Sequence, residues 1–246
     1  MREVVVVTGG AGGLGRVYSL ALAEAGYLVV VADLAEPAEV VAEIESAGGT
    51  AFGVEVDVTN RVSTEHMAQS TLDRFGQINA LVNNAAYYTA IVKKPFDEIG
   101  DEEWARCFDV NVRGTWLCSC AVAAVMREQR SGKIVNVSSM TVPTAPPGFA
   151  HYISSKAAIV GLTRALAREL GPHGICVNTL TPDYIAFDRD YDNRQPGMAP
   201  ALASQRAFGR EQEPEDMVGT LLYLVSSGSD FVTGQNIWVN GGRAFQ

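Results

Sequence analysis

Lysine is scarce in this chain: four in 246 residues, at Lys93, Lys94, Lys133 and Lys156. No basic stripe interrupts a formal net charge of −9, so little is available to displace the counterions of a polyanion. No nucleic-acid partner is expected. Long apolar runs are missing too. None approaches the roughly 18 residues that span a bilayer, which argues against a membrane partner. Met1-Arg2-Glu3-Val4 runs straight into a strand-like segment, without the basic, apolar and small-residue zones of a secretion signal, so the expected location is cytoplasmic. Cys107, Cys118, Cys120 and Cys176 form no Cys-x-x-Cys pair, and His66, His151 and His173 are scattered, so no metal site is expected. Free and mostly buried thiols are expected, with Cys118 and Cys120 facing different ways on one helix.

What is present is an apolar fraction of 47% arranged in alternating strand-like and helix-like segments. Val4–Val7 is an unbroken β-branched run, the pattern of a parallel strand covered on both faces. Helical stretches are expected at 14–25 and 36–47, with strands at Leu28–Ala32, Ala51–Val56, Ala80–Val82, Ile134–Val137, Cys176–Thr179 and Asn236–Val239. The longest expected helices are Glu102–Arg130 and Tyr152–Leu170. Repeated β-α-β units joined by right-handed crossovers imply one α/β domain over 1–246, a doubly wound parallel sheet with helices on both faces. The stretch 183–214, with Pro196, Pro200 and Pro214, is too long for a plain connector. It reads as either a substrate lid or a disordered segment, and its place after a strand end favours the lid.

Thr8-Gly9-Gly10-Ala11-Gly12-Gly13-Leu14-Gly15 joins the first strand to the first helix. Glycines there permit a tight turn and let backbone approach a pyrophosphate at the positive end of the helix. No Lys-Ser/Thr pair follows, which excludes a nucleoside triphosphate loop. Asp33 ends the second strand, where a carboxylate accepts hydrogen bonds from adenosine ribose hydroxyls and repels a 2′-phosphate. Between residues 17 and 60 there is no Lys or Arg to neutralise such a phosphate. The expected cofactor is therefore NAD; the plainer alternative is that Asp33 only ties the turn. Asp57-Val58 follows the third strand and could flank adenine. Asn83-Asn84-Ala85-Ala86 follows the fourth, as channel wall or as a simple turn.

Tyr152 and Lys156, four apart on a helix, share one face. A free phenol has a pKa near 10, too high for a base at neutral pH. A neighbouring ammonium and an oxidised nicotinamide would both lower it, letting Tyr152 exchange a proton with an alcohol or ketone. Ser138-Ser139 ends a strand at the same sheet edge. Ser139 can hydrogen-bond the reacting oxygen, or the pair can simply make a turn. Lys156 is also placed to reach the nicotinamide ribose.

With these residues the chain resembles the short-chain dehydrogenase/reductase family over essentially its whole length. The matching segments are Thr8–Gly15, Asp33 with Leu34, Asp57 with Val58, Asn83–Ala86, Asn111 in Val110-Asn111-Val112, Ser139, Tyr152 with Lys156, Asn178–Pro182, and Thr233-Gly234-Gln235 with Gly241-Gly242. The resemblance implies a single Rossmann domain with about seven strands, a homotetramer or homodimer, and a Ser-Tyr-Lys triad extended by Asn111, which would hold a proton-relaying water. It also implies cofactor contacts from Thr8, Gly9, Gly13, Leu14, Gly15, Asn84, Ala85, Ala86, Pro182 and Ile185. The chain departs from the pattern at Ala86 and Asp183, where the family has Gly, and at Phe187, where it commonly has Thr.

Tyr87, Tyr88, Met140, Thr141, Pro146, Phe149, Tyr184 and Phe187 are expected around the substrate, largely aromatic or apolar and without an evident Arg clamp. The expected substrate is thus a small, hydrophobic secondary alcohol or ketone. A 3-oxoacyl thioester reductase and a non-catalytic dinucleotide sensor are the alternatives. A nucleotide-sugar epimerase would need more chain after Pro182. His151, beside Tyr152, is turned away by helical geometry and is assigned to surface or packing.

Overall fold

In the computed structural model the described residues are 2–186 and 197–246. Seven parallel strands form one sheet in the order β3-β2-β1-β4-β5-β6-β7. They are β1 (Val4–Thr8), β2 (Leu28–Asp33), β3 (Thr50–Glu55), β4 (Ala80–Asn83), β5 (Gly132–Val137), β6 (Ile175–Pro182) and β7 (Asn236–Val239). The β-branched runs explain the two-sided burial. Val4 and Val6 join one apolar core with Val30 and Ala32. Val5 and Val7 join the other with Val29 and Val31. Successive side chains of a strand point to opposite faces, so an unbroken valine run is what a sheet buried on both sides requires.

The first core is closed by α3 (Arg61–Phe75), α5 (Thr115–Gln129) and α7 (Ala150–Leu170), through Met67, Val122, Met126 and Leu170. The second is closed by α1 (Gly13–Glu24), α2 (Ala38–Ser46) and α9 (Val218–Val225), through Tyr18, Leu22, Ile44 and Leu221. The phenol of Tyr18 is fully enclosed, and burial raises its pKa far beyond the ordinary phenol range.

The element boundaries differ from the expected ones in ways that matter near the site. The run expected as one helix at Glu102–Arg130 is α4 (Asp101–Phe108), a π-helical turn at Asp109–Gly114, and α5. A π turn inserts one extra residue and re-aims the side chains on it, here Asn111. Helix α7 begins two residues before Tyr152, so Tyr152 sits within its first turn. Strand β6 reaches Pro182, farther than Cys176–Thr179, because Thr179–Pro182 pairs with the whole of β7. Of the segment expected as a lid, residues 183–186 and 197–214 are described, with a short helix α8 (Met198–Ala203); Phe187 and Pro196 lie outside the described residues. Cys118 is buried and Cys120 exposed, on opposite sides of α5 as expected. Among the described residues no helix is long and apolar enough to cross a membrane.

Strand order reverses between β1 and β4, and all strands end on one edge. In open parallel sheets that switch point is where ligands bind.

Candidate active site

One cavity of about 1120 Å³ follows that edge. Of the residues proposed from sequence, Gly9, Gly13, Leu14, Asp33, Leu34, Asp57, Val58, Asn84, Ala85 and Ala86 line one stretch of it; Ser139, Tyr152, Lys156, Pro182 and Ile185 line another. Thr8, Gly15 and Asn111 do not reach it and act from behind.

The glycine turn is held from several sides. Thr8 Oγ1 accepts from the backbone N–H of Asn84 at 3.1 Å and of Ala85 at 3.2 Å. The Asn84 amide donates to the Gly9 carbonyl at 3.1 Å. A Cβ on Gly15 would lie 1.9 Å from the Gly9 oxygen, so only glycine lets α1 start this close to β1. Helix α1 has no side-chain cap, which leaves the N–H groups of its first turn for an outside acceptor. Gly12 and Gly13 have open space before them. Asp33 ties the turn and also faces the cavity: its carboxylate accepts from Ala11 N at 2.9 Å and Ala35 N at 3.1 Å. Asp57 accepts from the Thr59 hydroxyl at 2.7 Å, which holds its pKa below the usual carboxylate value.

At the other stretch, Lys156 is buried and donates to the Val137 carbonyl at 2.8 Å. Desolvation pulls its pKa down to about 8. Its Nζ lies 5.8 Å from the centre of the Tyr152 ring, which packs against Tyr88 and Phe149. Both serines line the cavity: Ser138 Oγ donates to the Lys156 carbonyl at 2.9 Å, while Ser139 Oγ accepts from Thr141 N at 3.2 Å and Thr141 Oγ1 at 3.0 Å, so it also ties the turn. The Asn111 side chain is committed: it accepts from Tyr87 N at 2.7 Å and donates to Ser155 Oγ at 2.9 Å. His151 is enclosed, does not line the cavity, and faces Glu103 at 3.3 Å. Burial lowers its pKa, so it is a packing histidine.

The far end of the cavity departs most from expectation. Tyr87, Tyr88, Met140, Thr141, Pro146, Phe149 and Tyr184 are present as expected, and Met198 and Leu202 of α8 join them. Cationic side chains missed in the sequence also line the cavity: Lys93, whose Nζ lies 5.1 Å from the Phe149 ring centre, Arg106, and Arg243 from the chain end. Asp183 adds no loose carboxylate. It is gripped by Arg206 at 2.9 Å and by Arg243 at 2.6 Å. Sequence separations of 23 and 60 residues hid that cluster. The one available signal was Gly241-Gly242, which turns the tail back toward the sheet edge.

Three comparisons with known proteins bear on this site. A family model described as Enoyl-(Acyl carrier protein) reductase matches residues 9–244. A 3-oxoacyl-acyl-carrier-protein reductase of Synechocystis sp. is 35% identical over 98% of this chain and 96% of its own length. The hydroxy(phenyl)methylsuccinyl-CoA dehydrogenase subunit BbsD of Thauera aromatica is 37% identical, again over 98% and 96%. Among solved structures, a candidate NAD(P)-dependent gluconate 5-dehydrogenase from Beutenbergia cavernae, with NADP bound at low occupancy, superposes with a TM-score of 0.90. It is 33% identical, covering 98% of this chain and 96% of that one.

Removing the carboxylate from the Asp183 cluster strands two buried guanidiniums. Asp183→Ala is expected to cost about 3–5 kcal/mol, read as a lowered urea midpoint. Adding Arg206→Met should recover part of that loss. A single variant as stable as the parent would show that the cluster carries no strain-bearing charge.

Proposed function

The chain is an oxidoreductase belonging to the short-chain dehydrogenase/reductase family, and from that premise we propose that it interconverts a 3-oxoacyl thioester and the 3-hydroxyacyl thioester with NAD(H), Tyr152 being the general acid and base. The observation that carries the reading is the buried Lys156 ammonium beside Tyr152, in the same cavity as an uncapped helix start and Asp33. The thioester part is supported by the names of the relatives, two of which act on acyl-carrier-protein or CoA derivatives. A neutral secondary alcohol or ketone is the second reading, favoured by the apolar wall of Met140, Pro146 and Phe149.

The residues fit a dinucleotide. The free N–H groups of α1 suit a pyrophosphate, and Asp33 suits ribose hydroxyls. Arg106 also lines the cavity and helps lower the Asp57 pKa, so the preference for NAD over NADP rests on the Asp33 carboxylate. Arg16, the nearest cation in sequence, is tied to Glu43 at 2.6 Å. When bound, the nicotinamide supplies or accepts the hydride. The protein's part is the proton. With its pKa near 8, Lys156 keeps its charge at neutral pH and favours the Tyr152 phenolate. In reduction the Tyr152 hydroxyl donates to the carbonyl oxygen, which also receives a hydrogen bond from Ser139; in oxidation the phenolate takes the proton back. Asn111 acts as a positioning residue through Ser155 and Tyr87. With its amide committed, the water-holding role implied by the resemblance falls to the second lone pair of its backbone carbonyl, which also accepts from Thr115 Oγ1 at 2.8 Å. Pro182 and Ile185 border the nicotinamide end, and the described parts of 183–214, which bring Tyr184, Met198 and Leu202 to the cavity wall, act as the substrate lid. The reading includes a cytoplasmic location and self-association, a homotetramer or homodimer. Trp104, Trp116 and Phe231 present exposed apolar surface that a second copy would cover.

Tyr152→Phe is expected to lower kcat by about 1000-fold, with NADH affinity by fluorescence titration little changed; substantial turnover would remove Tyr152 from the chemistry. In the parent enzyme, carbonyl reduction should fall as pH rises through about 8, where the Lys156 ammonium is lost. A reduction rate flat from pH 6 to 10 contradicts this. Asp33→Asn keeps an acceptor for Ala11 while deleting the charge, and should shrink the NADH-over-NADPH preference by about tenfold. An unmoved ratio would reassign Asp33 to the turn alone. Acetoacetyl thioesters should be reduced with higher kcat/KM than aryl or cyclic ketones of similar size, followed by loss of reduced-nicotinamide absorbance. The reverse order would favour the second reading.

A further inference from the structure

We propose that Arg243 recognises a carboxylate on the substrate, so that the acyl group processed here is acidic at the end remote from the reacting carbonyl. This deepens the oxidoreductase reading of the same cavity and rests on it. Asp183, Arg206 and Arg243 form a cluster of one carboxylate and two guanidiniums, whose side chains are 1%, 2% and 14% exposed. Their formal charges sum to one positive unit in an enclosed place, and Asp216, the next acid near Arg206, is itself paired with Arg210 at 2.6 Å.

Arg206 is saturated. Its nitrogens go to Asp183 and to the carbonyls of Tyr184 at 2.9 Å and Arg210 at 3.1 Å. Arg243 is not: Nη1 donates to Asp183 at 2.6 Å and Nε to Gln205 at 3.3 Å, while Nη2 has no hydrogen-bond partner among the described residues. Arg243 lines the cavity, as do Met198 and Leu202. The acidic residues of the described cavity wall are Asp33 and Asp57, at the stretch fitted to the dinucleotide, and Asp183, already engaged. On that wall Arg243 therefore has only its share of Asp183, which Arg206 also engages.

A desolvated, unbalanced guanidinium calls for an anion. One open nitrogen and one unit of charge suit a carboxylate monoanion rather than a phosphate dianion. The placement is built into the chain. Gly241 and Gly242, at φ +60 and +78, turn the chain after β7, and the Asn240 side chain accepts from Gly242 N at 2.9 Å. A Cβ on Gly242 would lie 2.7 Å from that of Ala207, so the turn packs tightly against the segment that carries Arg206.

The test compares 3-oxoadipyl and 3-oxohexanoyl N-acetylcysteamine thioesters, equal in chain length and differing in a terminal carboxylate against a methyl. The parent enzyme should favour the acidic substrate by about 30-fold in kcat/KM, the worth of one charge-assisted hydrogen bond, chiefly through KM. Arg243→Gln should bring that ratio to about one, with Arg243→Lys between. Equal use of both substrates by the parent, or an equal KM rise for both in the variant, overturns the proposal; the second outcome would assign Arg243 to the dinucleotide. If neither thioester reacts, the thioester reading fails by itself. Calorimetric titration of the enzyme–NADH complex with glutarate then decides: binding lost in Arg243→Gln sustains the proposal, and binding absent or unaltered by the substitution ends it.

Discussion

The Lys156 ammonium, buried and hydrogen-bonded to the Val137 carbonyl, is the interaction on which the site depends. It fastens α7 to the end of β5, and Ser138 fastens the same two elements in the opposite sense by donating to the Lys156 carbonyl. Between these bonds the relative position of Ser139 and Tyr152 is settled, because each is next to, or one turn from, a clamped residue. Burying an ammonium is unfavourable, and the lowered pKa of Lys156 is the measure of it. The same desolvation strengthens its electrostatic influence on Tyr152. A lysine in water could not do this work.

Charge is distributed unevenly along the cavity. Asp33 and Asp57, with Arg106 near the latter, border the glycine-turn stretch, Lys156 lies beside Tyr152, and Lys93 and Arg243 add positive charge elsewhere on the wall. The overall charge of −9 conceals this local arrangement. Asp183 sits where the resemblance expects a glycine, and it is tolerated because two guanidiniums converge on it. That substitution links the end of β6, the segment around Arg206 and the chain terminus into one unit under the cavity.

Local pattern made much of this molecule legible before its structure. Unbroken valine runs, the glycine turn between strand and helix, and Tyr152 four residues before Lys156 each follow from backbone geometry and short-range spacing. They sufficed for a parallel sheet, for the cavity along its edge and for the placing of Tyr152 and Lys156 together on its wall. Asp33 was legible as a cavity residue or as a tie of the turn; that it does both, with Ala11 as a partner 22 residues away, was not.

What only tertiary structure decided were the contacts between residues distant in the chain. Asn111 gains its place from a π turn and from partners 24 and 44 residues away. Ser138 and Ser139, adjacent in sequence, both reach the cavity but take different partners, the Lys156 carbonyl for one and Thr141 for the other. The basic end of the cavity, invisible in composition, exists because the chain returns after β7 and sets Arg243 beside Asp183. Periodicity and motif spacing carry information over a few residues; an ion pair closed across 60 residues is determined by the packing of the whole sheet.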